Sequence, residues 1–357
     1  LPSQSAVRAL EEQLQPQAPV RIGLIGNRSS RQNFQSRLSL LGHILPEADL
    51  VWQTRNPRNL VDALLSLLFE ARVNVLAVAG GDGTLHHVVN LLVRLSEELE
   101  ARDMRRMELP PLLVMPGGTM NIFARAFGTK DLPLRAAARF RNLFSGGPLA
   151  RLSTRDVGLL DIRSRQRGRL VGFVLGSSLV VDAVRVYEDL GAGYAGLVRF
   201  LYHATAGSVI GSSIWSEHEH LLARARLDVE VDGNAFEGAR AVVCSTIPLS
   251  LLRGAIQSIG KQGEPIADEC IMTVVARSMS DGEFIGTMPN LVINKEHPRI
   301  WRSDLARSAR FSGAITVDGE ISGGKNSCER FEHDEVEVRR LGFDLKVVRP
   351  DWSTLAW

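Results

Sequence analysis

"VNVLAVAGGDGTLHHVVN", residues 73–90, is the stretch whose reading decides the fold. Val73 to Gly80 is an apolar run without charge, the pattern of a strand buried on both faces. It breaks at Gly80 and Gly81, and from Leu85 to about Glu100 apolar residues recur at helical spacing. A strand that passes through a glycine turn into a helix is half of a βαβ unit. The same alternation continues outward. "VRIGLIGN" (20–27) reads as a strand, "SRQNFQSRLSLLGHIL" (30–45) as a helix, "DLVWQT" (49–54) as a strand and "PRNLVDALLSLLFEA" (57–71) as a helix. "PPLLVMPGG" (110–118) is again a strand ending in two glycines, and "TMNIFARAFG" (119–128) starts another helix. The expectation is an α/β fold with an open, mostly parallel sheet and flanking helices.

After about Arg151 the texture changes to short β-branched runs between turns. They are "GRLVGFVLGSSLVVDA" (168–183), "ARLDVEVDGNAFEG" (225–238), "RAVVCSTIP" (240–248), "CIMTVVARSM" (270–279), "SGAITVDGEIS" (312–322) and "DEVEVRRLGFDLKVV" (334–348). These predict a second, mainly antiparallel β domain. At 357 residues two domains are the natural division. We expect an extension over 1–19, an α/β domain over 20–150 and a mainly β domain over 151–357. The C-terminal tail is a candidate to return to the first domain.

Bulk composition excludes more than it selects. The 42 basic and 40 acidic residues are interspersed and leave a net charge of +2, so no field directs the chain to nucleic acid. Three cysteines without a Cys-x-x-Cys pair read as a reducing, cytoplasmic setting rather than a disulfide framework. The N-terminus has no charged-then-apolar signal pattern, and no apolar run reaches the roughly 18 residues of a membrane span.

A glycine turn at the carboxyl end of a parallel strand lets phosphate approach bare backbone, and the next helix offers unpaired N–H groups and a positive dipole end. We expect positive φ at Gly80 and Gly81, with Gly83, Thr84 and His86 beside the phosphates. Asp82 fits two readings: a helix cap, or a carboxylate holding Mg²⁺ against the phosphates. Gly117, Gly118 and Thr119 repeat the arrangement, and Asn121 adds an amide able to hold a hydroxyl or carbonyl. "GEISGGKN" (319–326) has Walker spacing but ends in Asn, so it reads as a glycine-rich loop. His86 and His87, adjacent on a helix, make no zinc site. "RSRQRGR" (163–169) fits a solvated hairpin tip or a contact to anionic lipid headgroups, and the apolar interlude from Tyr187 to Trp215 fits core or an acyl-chain cover.

"GGDGTLHHVVN" and "PGGTMNIFARAFG" resemble the two signatures of the diacylglycerol kinase catalytic-domain family, which includes bacterial lipid kinases and the sphingosine and ceramide kinases. "IGNRSS" (25–30), Thr54, "DVGLL" (156–160) and "VDGE" (317–320) extend the likeness over nearly the whole chain from Val20. The resemblance implies an ATP- and Mg²⁺-dependent lipid kinase working at a cleft between its domains. ATP would be held by Asn27, Ser30, Thr54, Gly80 to His86, Gly118, Thr119 and Asn121, with Asp82 at the metal and Glu320 as proton acceptor. Peripheral contact with an anionic membrane goes with it, and a homodimer is kept as a candidate assembly. The chain departs from the pattern in three places. Arg28 and Arg31 replace Pro and Gly, Ile122 replaces an acid, and Asp268, Glu269 and Cys270 stand where many bacterial members have a structural Mg²⁺ site. A ceramide or sphingoid-base kinase, an NAD kinase-like enzyme and a decayed regulator that only binds nucleotide or lipid are the alternatives. From the residues alone, Glu320 is equally a position in an Asp-Gly hairpin, as is Asn234 after Asp232-Gly233.

Overall fold

The computed structural model describes residues 2–27, 50–54, 58–102, 106–118, 121–129, 147–189, 199, 226–251, 256–259, 269–280, 283, 287, 296–321 and 334–349. The helix expected over 30–45, Asp268, Cys328, residues 322–326 of the Walker-spaced loop and most of the apolar interlude lie outside them. The chain divides into two compact units, Leu1–Val157 with Asp344–Trp357, and Gly158–Phe343.

In the first unit, β1 (Ile22–Asn27), β2 (Leu50–Thr54), β3 (Val75–Gly80) and β4 (Leu112–Pro116) are mutually parallel. A closing strand, Leu345–Val348, runs parallel to β4 and antiparallel to β5 (Thr154–Val157), and the order places β3 between β1 and β4. All six residues of β3 are buried, which is why "VLAVAG" carries no polar side chain. The helices are α1 (Gln4–Gln13), α2 (Arg58–Leu65), α3 (Asp82–Glu100) and the short α4 (Ile122–Ala126). A π-helical turn, Ser66–Glu70, continues α2 and buries both Leu67 and Leu68. On α3, Leu85, Val88, Val89, Leu92, Val93, Ser96 and Leu99 form the buried stripe at helical spacing.

Asn74 anchors the N-terminal segment. It is fully buried, its Oδ1 accepts from the Arg21 N–H at 2.7 Å, and its Nδ2 donates to the carbonyls of Gln13 at 2.9 Å and Pro19 at 2.8 Å. Val7, Leu10 and Leu14 of the same segment are buried. Asn74→Ala strands three backbone groups at once, so we expect a loss of about 2–4 kcal/mol in urea unfolding, with an unchanged m-value.

The second unit is a sandwich of two six-stranded sheets. One is ordered β10-β9-β16-β19-β6-β7, from β6 (Leu160–Ser164), β7 (Gly168–Gly172), β9 (Leu227–Val231), β10 (Asn234–Ala239), β16 (Ser308–Ser312) and β19 (Glu335–Arg340). The other is ordered β15-β14-β11-β8-β17-β18, from β8 (Val174–Ser178), β11 (Ala241–Ser245), β14 (Ile271–Ala276), β15 (Ile300–Ala306), β17 (Ile315–Val317) and β18 (Glu320–Ile321). A separate pair, β12 (Leu249–Leu251) and β13 (Ile256–Ile259), stands beside them. Ile162, Val229, Val231, Phe311, Val336 and Val338 of the first sheet meet Leu175, Val242, Cys244, Ile271, Val275 and Val317 of the second in one core. The β-branched alternation thus does produce an antiparallel β unit.

One run departs from the expectation. "LGSSLVVDA" does not stay extended, because Ser178 takes φ +58° and the chain enters α5 (Leu179–Asp189). Both Val-Asp-Gly repeats are two-residue hairpins with positive φ at both central residues, +48° and +80° at Asp232 and Gly233, +56° and +83° at Asp318 and Gly319. In each, the Asp also reaches a neighbouring backbone: Asp232 accepts from the N–H groups of Arg307 and Ser308, and Asp318 from those of Phe173 and Val174.

Burial in the sandwich pushes the Cys244 thiol up from 9.0 to about 12, against a weak hydrogen bond from Thr273. At pH 8, iodoacetamide is expected to leave Cys244 unmodified in the folded protein, as mapped by peptide mass, and to label it in urea. Because the folded thiol holds its proton more tightly than the unfolded one, its contribution to stability is present below pH 9.0 and is lost as pH rises towards about 12.

Candidate functional site

The four parallel strands end together. Asn27 pairs in register with Thr54, Gly26 with Ala79, and Gly80 with Pro116, so the ends of β1, β2, β3 and β4 form one edge. From β1 the chain crosses to β2 on one side, whereas β3 lies on the other, which makes the gap between β1 and β3 the topological switch point. Asn27 and the turn Gly80–Gly83 flank that gap. Across it, the Asn27 amide donates to the Thr84 hydroxyl at 2.8 Å and ties the end of β1 to the first turn of α3.

The glycines are needed for a reason the sequence did not reveal. Gly81 is the N-cap of α3 with φ −83° and ψ 179°, an extended backbone open to any residue, so the expected positive φ is not there. What forbids a side chain is proximity: a Cβ on Gly118 would stand 2.5 Å from the Gly81 Cα, and one on Gly80 would stand 2.6 Å from the Thr84 hydroxyl. The two glycine turns lie backbone against backbone, and the Gly117 N–H donates to the Gly80 carbonyl at 2.8 Å. Gly81, the N-cap of α3, a helix of 19 residues, has no side chain and so makes no side-chain hydrogen bond to the first turn, which begins with Asp82 and Gly83.

Asp82 and Asn121 complete the joint. The Asp82 carboxylate accepts from the Ile122 N–H at 3.1 Å and the Phe123 N–H at 3.2 Å, capping α4 rather than the helix it begins. Asn121 is 6% exposed with φ +49°, and its amide closes on its own turn: Gly118 N–H to Oδ1 and Nδ2 to the Gly118 carbonyl, both 2.8 Å. Both ends of the Asn121 amide thus have a partner within the turn, a contact the sequence did not reveal. His86 is half-buried and His87 exposed, 5.5 Å apart in an edge-on arrangement, and Asn90 donates to the His86 carbonyl at 2.9 Å.

Of the remaining sequence candidates, Ser30 and Thr119 lie outside the described residues, and Thr54 and Glu320 are described in backbone only. Thr54 ends β2 at the shared edge, while Glu320 pairs with Val317 across the hairpin of the second unit. Sequence reasoning missed the backbone N–H groups of Ile122 and Phe123. No side-chain signal could have exposed them, because the departure at position 122 leaves the amide unaltered.

Among the described residues no group of three or more His, Cys, Asp or Glu could hold a metal ion. The described part of the glycine turns offers one carboxylate, Asp82, and both of its oxygens already accept backbone N–H groups. These described residues make no all-protein Mg²⁺ cage, and Asp82 is the carboxylate among them that could share an ion with bound phosphates.

The arginine loop of the second unit is internally matched. Arg167 is buried against the fully buried Asp334 at 3.5 Å, Arg163 and Arg169 both meet Asp161, and Arg165 meets Glu335 at 3.5 Å. This hairpin tip therefore carries its own counter-charges.

With this geometry in hand, the likenesses to known proteins are specific. Residues 21–145 match the family model of the diacylglycerol kinase catalytic domain, and the stretch includes every residue of both glycine turns. No curated protein matches the chain. A diacylglycerol kinase of Bacillus anthracis str. Sterne shares the fold at 16% identity and TM-score 0.56, covering 92% of this chain and 96% of that one. A second protein of that organism, named provisionally as a diacylglycerol kinase, does so at 18% identity and TM-score 0.59, over 92% and 97%. Residues 21–145 are thus similar to the diacylglycerol kinase catalytic domain, and over 92% of the chain the fold is one found in those bacterial proteins.

Proposed function

We propose that the protein is an ATP-dependent lipid kinase that phosphorylates the hydroxyl of a diacylglycerol-like acceptor. The observation that supports this most is the N-terminus of α3 at the switch point, with no side-chain cap from Gly81, inside the stretch that matches the diacylglycerol kinase catalytic domain. Such a helix start offers N–H donors and a positive dipole end to phosphate oxygens. Asn27 and Thr84 fix its distance from β1, and the contact of Gly81 with Gly118 fixes the second turn beside it.

A kinase of this kind implies ATP and a divalent metal in general. The path proposed here runs through the chain's own groups. The nucleotide's phosphates accept from the α3 amides, which orients the γ-phosphorus. The lipid hydroxyl oxygen bonds to that phosphorus as the bond to the β–γ bridging oxygen breaks, ADP departs, and the hydroxyl proton passes to the Glu320 carboxylate. The reading places the protein in the cytoplasm with peripheral contact to an anionic membrane. Among the described residues no helix is long and apolar enough to cross one.

ATP labelled at the γ-phosphate, incubated with the protein and mixed micelles of diacylglycerol, monoacylglycerol, ceramide or sphingosine, tests the proposal by thin-layer separation. Label in the diacylglycerol product supports it, whereas label confined to ceramide or sphingosine moves the acceptor to that class. Label in added NAD, or in nothing, refutes a lipid kinase.

A further inference from the structure

We infer that Asp82 is a positioning residue, whose carboxylate ties the second glycine turn to the first and so sets the spacing of the phosphate cradle, instead of ligating a metal. This rests on the kinase reading above. The observation is the pair of bonds from the Ile122 and Phe123 N–H groups, 3.1 and 3.2 Å, to the two different oxygens of one carboxylate 40 residues earlier in the chain. Two N–H groups of a first helical turn have no partner within their own helix. A carboxylate there satisfies both with charge-assisted bonds and favours the positive end of α4.

The same residue is the first of α3, so the tie joins the starts of two helices. The Ile122 and Phe123 amides of α4 are thereby satisfied by the protein's own anion, while the kinase reading assigns the start of α3 to an incoming one. Gly81 and Gly118 allow the approach because neither has a side chain, and the reciprocal amide bonds of Asn121 hold the second turn in the shape the tie requires. Asp82 needs its short side chain and both oxygens for this. An Asn keeps the size but turns one acceptor into a donor facing an N–H.

The test uses the full chain with ADP and no metal, in EDTA. In wild type, hydrogen exchange at the Ile122 and Phe123 amides should be slow. In Asp82→Asn those two amides should exchange fast, ADP affinity should fall about tenfold or more, and high Mg²⁺ should not restore it. Fast exchange at both amides in the wild type would overturn the tie, and that arm decides the matter even if the variant does not fold. Metal-free ADP affinity equal to wild type, with a defect only in the presence of Mg²⁺ that high Mg²⁺ corrects, would make Asp82 a metal ligand. Lost protection with full ADP affinity would leave a cap that positions nothing. If wild type binds no nucleotide at all, the kinase reading fails, and the exchange measurement still judges the tie by itself.

Discussion

Gly118→Ala is expected to weaken ADP binding by about tenfold or more and to cost about 1–3 kcal/mol of stability, although it adds one methyl group. The new Cβ would lie 2.5 Å from the Gly81 Cα and 3.3 Å from the Asn121 Oδ1. The first of these neighbours is backbone and cannot swing aside, so the two turns have to separate. Separation pulls on the Gly117 to Gly80 hydrogen bond and on both bonds to Asp82, which links a packing fault to the phosphate cradle. Gly128→Ala is the control. Gly128 sits at φ +89° with nothing within 4 Å of its missing Cβ, so that variant should lose stability through backbone strain and leave ADP affinity intact. Calorimetric titration of both variants with ADP checks the contrast.

Glu320→Gln is expected to lower kcat about 10²-fold or more with little change in the KM for ATP, because an amide of the same size cannot take up the hydroxyl proton. The matching change after the other hairpin, Asn234→Gln, should leave kcat unaltered. The comparison is fair because the structure makes the two turns alike: each has positive φ at Asp and Gly, and each Asp clamps neighbouring N–H groups. Steady-state rates with the accepted lipid decide it. Equal, mild effects at both positions would return Glu320 to the role of a hairpin residue.

The parts of the fold that were legible are those specified locally. The uncharged β3, the helical stripe of α3 and both Asp-Gly hairpins each follow from a short window of residues. The misreading at Leu179–Ala183 has a local cause that composition conceals. A run rich in Val is compatible with strand or helix, and the turn at Ser178, a non-glycine at φ +58°, carries no residue signature. β15 and β16 were missed because Arg302, Ser303 and Asp304 interrupt the apolar residues of β15 and leave Leu305 exposed, while Ser308, Arg310 and Ser312 fill the outward positions of β16.

At the candidate site, residue types were legible and partners were not. Gly81, Gly118, Asp82 and Asn121 were all recognisable as special, but their contacts to the opposing turn or within their own were not. The two turns are some 40 residues apart, as the Asp82 to Ile122 bond shows, and a single sequence does not encode which loops meet. Asn74 illustrates the same limit. Nothing around it marks a residue that holds three backbone groups and closes α1 onto the unit.

The central claim is that nucleotide phosphates seat on the start of α3. A crystal structure of the full chain with ADP tests it most directly. The account anticipates the diphosphate within about 2.7–3.2 Å of the backbone N–H groups of Asp82 and Gly83, with Gly81 and Gly118 still in backbone contact beneath it. ADP bound elsewhere, or diphosphate oxygens held only by side chains away from the switch point between β1 and β3, would contradict it.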